Sequence, residues 1–233
     1  MITPDEHRTN RPVALVTGAS RGIGRAIALA LAPTHHILVG GRDADSVASV
    51  VAGLESAAPF VVDLTDESAL AAAVAGIDRL DVLVHSAGLV TFGALADSTT
   101  QEWRELMELN VVAPATLTRL LLPALRAAHG LVVFLNSGAG LTTHRGFSAY
   151  SASKYALTAL ADALRLDERG RVRVTSIHPG RVATDMQAQL ASLQGLPYVP
   201  DAHLDAADVA RAVRLAVDLP PDASLDSVRI NPV

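Results

Sequence analysis

The sequence contains no cysteine, which excludes disulfides and thiolate metal sites and fits a reducing compartment. Aromatic residues make up only 3% of it, so aromatic side chains are too few to dominate any recognition surface. Blocks of like charge are missing as well. Nineteen Lys and Arg against 24 Asp and Glu leave a formal charge of −5, and no basic stripe points to nucleic acid or to an anionic membrane. Long hydrophobic runs are also absent. The most apolar later stretches are broken by Arg119, Pro123 and Arg126, too soon for a membrane span. The start, Met1 to Pro12, is polar and mixed in charge, unlike a signal peptide. A cytoplasmic protein is therefore expected. The scarcest chemical group is the ammonium: Lys154 is the only lysine, and arginine serves as every other strong cation.

Half of the 233 residues are hydrophobic, enough for one α/β domain or two small ones. Val13 to Thr17 is a short apolar run that reads as a buried strand. Glycine-rich Gly18-Ala-Ser-Arg-Gly22-Ile-Gly24 follows, then the helix former Arg25 to Ala32, stopped by Pro33. His36 to Gly40 is a second strand. Strand, glycine loop, helix and strand in one short unit form the βαβ arrangement in which a helix N-terminus faces a phosphate.

The alternation continues. Asp43 to Leu54 reads as helix, Phe60 to Asp63 as strand, and Asp66 to Val74 as a helix capped by Thr65. Val82 to Ser86 is a strand. Gln101 to Ala128 is helical, with a kink or break where the pattern passes Asn110 and meets Pro114. Leu131 to Leu135 is a strand, Ala149 to Arg169 a helix and Val172 to Ile177 a strand. Val182 to His203 reads as a loop, Ala206 to Val217 as a helix capped by Asp205, and Ser227 to Ile230 as a last strand. The fold class is α/β, a doubly wound parallel sheet with helices on both faces. There is no repeat, low-complexity tract or linker, so residues 1–233 are expected to form a single domain with a tail at 1–12.

In such sheets ligands bind at the carboxyl ends of the strands. The chemically suggestive residues fall there: Gly18, Gly22 and Gly24 after the first strand, Asp63 after the third, Ser86 to Gly88 after the fourth, Ser137 after the fifth and Pro179-Gly180 after the sixth. The glycine loop is not followed by Lys-Ser or Lys-Thr, so it is no Walker loop, and it also differs in spacing from Gly-x-Gly-x-x-Gly. Its physics is shared: a tight turn and close approach of a pyrophosphate. Tyr150 and Lys154 stand four residues apart, one turn on a helix face. An ammonium beside a phenol is expected to lower the phenol's pKa.

Thr17-Gly-Ala-Ser-Arg-Gly-Ile-Gly24, Asp63-Leu64, Ala87-Gly88, Asn110, Ser137, Tyr150-x-x-x-Lys154 and Pro179-Gly-Arg-Val-Ala-Thr184 stand in order along the chain. With this ordered set the sequence resembles the short-chain dehydrogenase/reductase family, in its single-domain Rossmann-type branch. The resemblance implies an enzyme that transfers hydride between a nicotinamide cofactor and a carbonyl or alcohol substrate. It implies cofactor contacts from Gly18, Ser20, Arg21, Gly22, Ile23 and Gly24, and from Arg42, Asp63, Leu64, Ser86, Ala87 and Gly88. Tyr150, Lys154, Pro179, Gly180, Val182 and Thr184 complete that set. Tyr150 is implied as general acid/base, Lys154 as its tuner and a ribose ligand, and Ser137 as the substrate-oxygen partner. Asn110 is implied to hold a water that links Lys154 to solvent. No metal is implied.

NADP is the expected cofactor, with NAD the alternative. A carboxylate at the end of the second strand would bind the ribose 2′-hydroxyl, and here Gly40-Gly41-Arg42 stands there with no acid before Asp43. Arg21 and Arg42 can bracket a 2′-phosphate. The segment 182–203 is expected to cover a small or medium apolar carbonyl substrate. A homo-oligomer, dimer or tetramer, built through long helices follows from the resemblance. Three departures stand out. Ser86, preceded by His85, replaces the family's usual asparagine. Asn136 stands where a second serine is frequent and reads as neutral. The glycine-rich ending is missing after Val228-Arg-Ile-Asn-Pro232, which bears on substrate enclosure and tetramer contacts. A non-catalytic dinucleotide-binding or redox-sensing regulator is the alternative reading, disfavoured because binding alone does not require Asn110, Ser137, Tyr150 and Lys154 together. Epimerase or dehydratase chemistry on a nucleotide sugar needs more chain after Pro179 than is present.

Overall fold

The strands are β1 (Val13–Val16), β2 (His36–Gly41), β3 (Ala57–Val61), β4 (Val82–His85), β5 (Leu131–Leu135), β6 (Arg173–Pro179) and β7 (Ser227–Ile230). In this computed structural model, which describes residues 11–233, they form one parallel sheet in the order β3-β2-β1-β4-β5-β6-β7. Most of the expected tail at 1–12 lies outside the described residues. The order reverses direction between β1 and β4, the switch point at which a doubly wound sheet opens a crevice.

The continuous apolar runs of β1, β4 and β5 follow from burial on both faces. Their side chains alternate. Ala14, Val16, Val82, Val84, Val133 and Leu135 face one layer, with α1 (Gly22–Leu31), α2 (Ala44–Val51) and α8 (Ala206–Asp218). Leu15, Leu83, Val132 and Phe134 face the other, with α3 (Glu67–Val74), α5 (Ala113–Ala128) and α6 (Ser148–Asp167). The remaining α-helices among the described residues are α4 (Thr100–Met107) and α7 (Asp185–Leu193).

Five expectations are corrected. The cap of α3 is Asp66, whose carboxylate accepts from the Ala69 N–H, because Thr65 is drawn to Asp63 instead. β3 runs Ala57–Val61, so Asp63 lies two residues past the strand. No break occurs at Pro114. The chain between α4 and α5 widens into a π-helical turn at Glu108–Val112, and Pro114 sits in the first turn of α5, where its missing N–H costs nothing. The segment 182–203 contains α7, capped by the Thr184 hydroxyl accepting from the Gln187 N–H. The run Thr100–Ala128 is long and apolar enough to cross a membrane, contrary to the sequence expectation. Leu117, Leu121 and Leu125 within it are buried against the sheet, as in a core helix of a soluble fold.

Candidate functional site

The carboxyl ends of the strands border a cavity of about 1670 Å³. Its floor is built where β1 gives way to the glycine turn. The Thr17 hydroxyl oxygen accepts from the Ser86 N–H (3.0 Å) and the Ala87 N–H (3.2 Å) and donates to the Val84 carbonyl (3.3 Å). The loop after β4 is thereby pinned to the end of β1. Gly18 has φ +63°, and a Cβ there would stand 2.9 Å from the Ala87 backbone. A Cβ on Gly24 would stand 2.3 Å from the Gly18 carbonyl oxygen. Only glycine permits this turn and this approach of helix to loop. α1 then starts with no side-chain cap from Arg21 and no acid in its first turn. Its first-turn residues Gly22, Ile23 and Gly24 line the cavity. A bare helix start above a glycine cradle fits the pyrophosphate of a dinucleotide.

Beside it, Arg42 follows β2 and lines the same cavity. The Asp43 carboxylate is turned away to cap α2, accepting from the Ser46 N–H at 2.9 Å and from the Ser46 hydroxyl. Those bonds hold its pKa below the usual carboxylate value. Asp63 accepts from the Thr65 N–H (2.9 Å) and hydroxyl (2.8 Å), which lowers its pKa, and the Arg42 charge lowers it further. Arg21 is exposed and pairs with Asp185 at the start of α7 at 3.9 Å. The end of β2 thus offers Arg42 with Asp43 committed to a helix cap, while Arg21 of the glycine turn is shared with Asp185.

β5 and α6 bring the proton-transfer candidates together. The Lys154 Nζ donates to the Leu135 carbonyl (3.1 Å) and lies 5.9 Å from the centroid of the Tyr150 ring. Lys154 is only 5% exposed, and burial lowers its pKa to about 8. The expected lowering of the Tyr150 phenol is not what the chain's own groups produce. Burial pushes the phenol up, and the group that opposes it is the Ser137 side chain through a hydrogen bond. Desolvation of a phenolate outweighs an ammonium whose proton is directed at a backbone carbonyl.

Asn110 lies in the π-helical turn and is 1% exposed. Its Nδ2 donates to the Leu89 carbonyl and the Ser153 hydroxyl, both at 3.0 Å, and its Oδ1 accepts from the Leu89 N–H at 2.8 Å. The side chain's donors are committed to the protein, and it stands behind Gly88 rather than on the cavity wall. Every other residue expected at the site borders the cavity: Ser20, Asp63, Leu64, Ser86, Ala87, Gly88, Ser137, Tyr150, Lys154, Pro179, Gly180, Val182 and Thr184 join those already named. The Thr184 methyl would stand 3.5 Å from a Cβ on Gly22, so the start of α7 closes over the glycine turn.

Sequence reasoning missed two side chains that build the site. Thr17 anchors the loop after β4, in which Ser86 stands in place of the family's usual asparagine. Asn136 is not neutral, being buried and hydrogen-bonded on both sides. Of the loop aromatics, Phe147 lines the cavity, Phe92 packs behind it with ring centroids 5.3 Å apart, and Tyr198 packs at a tilt against His203 and does not line the cavity. His144 is exposed and lines the cavity. His85 is buried, stacks on Phe134 and is held neutral by burial, its pKa lowered to about 3. Among the described residues, no three His, Asp or Glu side chains gather as a metal site.

Residues 12–194 match the family model described as short chain dehydrogenase. An uncharacterised short-chain type dehydrogenase/reductase of Sinorhizobium fredii is 35% identical, covering 97% of this chain and 94% of that protein. The trans-4-hydroxycyclohexanecarboxylate dehydrogenase of Sinomonas cyclohexanicum is also 35% identical, covering 83% of this chain and 80% of that protein. Among solved structures, the alcohol dehydrogenase of the archaeon Thermococcus sibiricus, complexed with 5-hydroxy-NADP, superposes with a TM-score of 0.87 at 25% identity. That match covers 96% of this chain and 97% of the other.

Proposed function

Because this chain belongs to the short-chain dehydrogenase/reductase family of NAD(P)-dependent oxidoreductases, we propose that it is an NADP-dependent carbonyl reductase or alcohol dehydrogenase with Tyr150 as general acid/base. The observation that carries this reading is the convergence of Ser137, Tyr150 and Lys154 on the cavity that also contains the glycine turn. The cofactor, when bound, supplies or takes up the hydride and, in its oxidised form, a positive ring. The remaining work belongs to the protein. The N–H groups at the start of α1 hold the diphosphate, Thr184 closes over it, and Lys154 orients the ribose. Ser137 donates to the substrate oxygen and fixes it against Tyr150. In reduction the Tyr150 O–H gives its proton to that oxygen; in oxidation the phenolate takes the alcohol proton. Asn110 holds the Leu89 loop and Ser153, and so keeps the base of α6 in place.

NADP is preferred over NAD in this reading because Arg21 and Arg42 border the cavity while Asp43 is spent on a helix cap. The bound 5-hydroxy-NADP of the Thermococcus relative supports the same choice. The segment 182–203, with α7 at its centre, covers the substrate. Leu89, Val90, Phe147, Met186 and Leu190 line that end and suit a small or medium apolar carbonyl compound. The protein acts as a single domain in the cytoplasm. A panel of ketones and aldehydes with NADPH tests the assignment. Tyr150→Phe is expected to lose turnover by at least about a thousandfold while NADPH binding persists. Retained turnover in that variant removes Tyr150 as the acid.

A further inference from the structure

The residue between β5 and Ser137 carries more of the site's geometry than its place in the sequence implies. The Asn136 backbone continues the sheet, its N–H donating to the Ile177 carbonyl at 2.8 Å. Its side chain is only 6% exposed. On one side its Oδ1 accepts from the Ser137 N–H at 2.9 Å. On the other, its Nδ2 donates to the Lys154 carbonyl at 3.2 Å and to the Thr158 hydroxyl at 2.9 Å. The Thr158 hydroxyl in turn lies 3.1 Å from the carbonyls of Gly140 and Lys154. The packing admits no slack: a Cβ on Gly140 would stand 2.5 Å from the Asn136 Oδ1 and 2.8 Å from the Lys154 carbonyl.

One planar amide therefore ties the backbone that presents Ser137 to the turn of α6 that carries Lys154. The Lys154 Nζ reaches back to the carbonyl of Leu135, the preceding residue. The tripeptide Leu135-Asn136-Ser137 thus grips Lys154 at both its backbone and its ammonium. A serine at 136 has one hydroxyl and a shorter reach, and it could not accept from Ser137 while donating twice to α6.

We propose that Asn136 is a positioning residue for the proton-transfer group, its amide setting the spacing of Ser137 to Tyr150 and Lys154. The proposal rests on the acid/base reading of Tyr150. Loosening the amide lets Ser137 drift from the phenol and removes the hydrogen bond that opposes the effect of burial on Tyr150. The rate of alcohol oxidation, which needs the phenolate, should then rise at higher pH than in the wild type.

The test compares wild type, Asn136→Ala, Thr158→Val and Tyr150→Phe by the pH profile of kcat for alcohol oxidation, by NADPH binding and by thermal unfolding. In Asn136→Ala, kcat near neutral pH is expected to fall about tenfold with the profile displaced to higher pH. NADPH affinity is expected to fall by less than kcat, although Lys154 also orients the ribose, since the amide acts mainly on the chemical step. Thr158→Val, nearly isosteric, should move the profile the same way by less, and it decides the matter alone if Asn136→Ala does not fold. An unmoved profile in the folded variants, with only the unfolding temperature lowered, overturns the role of Asn136 and leaves Tyr150 assigned. Retained turnover in Tyr150→Phe overturns both.

Discussion

At the residue scale, the lone lysine is held where a charge is costly. Its pKa is lowered by burial from 10.5 to about 8. The unfolded chain keeps the proton up to the ordinary value, and the folded chain releases it near pH 8. Between those values the unfolded state binds more protons, so this group makes stability rise with pH. Tyr150 acts oppositely above its ordinary value of 10.0, because burial raises it. The useful window is therefore about pH 8 to 10. Lys154→Met is expected to be more stable than the wild type at pH 7 by up to roughly 3 kcal/mol. That advantage should narrow toward pH 10, as urea unfolding at the two values will show. A gap independent of pH contradicts the buried ammonium. The pairing of Tyr150 and Lys154 was legible from their spacing alone. The direction in which the phenol is shifted was not, because spacing reports neighbours and not desolvation. Thr17 and Asn136 escaped for a related reason: their partners lie far along the chain, Ser86 for one and Lys154 for the other.

At the element scale, apolar periodicity and the capping residues located the strands and most helices. Asp205 caps α8 as expected. What failed was α7, and the cause lies in its packing. Ala191 is its only fully buried residue, while Met186 and Leu193 remain substantially exposed. A helix with no buried stripe leaves no periodic signal. Such a helix depends on its cap. Thr184→Ala is expected to cost about 1 kcal/mol locally. Hydrogen exchange should quicken across Asp185–Leu193 more than across α6. Unchanged exchange there contradicts the dependence of α7 on Thr184. The π-helical turn at Glu108–Val112 was legible only as a disturbance near Asn110. An asparagine among helix formers signals a local distortion, and the tertiary bonds to Leu89 and Ser153 decide its form.

At the scale of the whole molecule, the reversal of strand order between β1 and β4 places the glycine turn beside the loop after β4. The neighbouring strands then deliver Ser137 and the Pro179-Gly180 segment to the same cavity. That convergence was legible because the glycine turn, Ser86 to Gly88, Ser137 and Pro179-Gly180 all stand at the ends of strands. Self-association is expected through the long helices, where Val112 and Tyr155 leave apolar surface exposed. Sedimentation at micromolar concentration should give at least twice the mass of the chain, and a monomer would contradict this. The central claim is that the cavity binds NADPH and reduces a carbonyl. The most direct measurement is a paired assay of NADPH and NADH oxidation across one panel of ketones and aldehydes. The expected result is turnover with at least one carbonyl and a KM for NADPH about tenfold or more below that for NADH, because Arg21 and Arg42 border the cavity while Asp43 is committed to the cap of α2. Equal use of both cofactors contradicts the assignment of Arg21 and Arg42, and no oxidation of either with any carbonyl contradicts the proposed reaction.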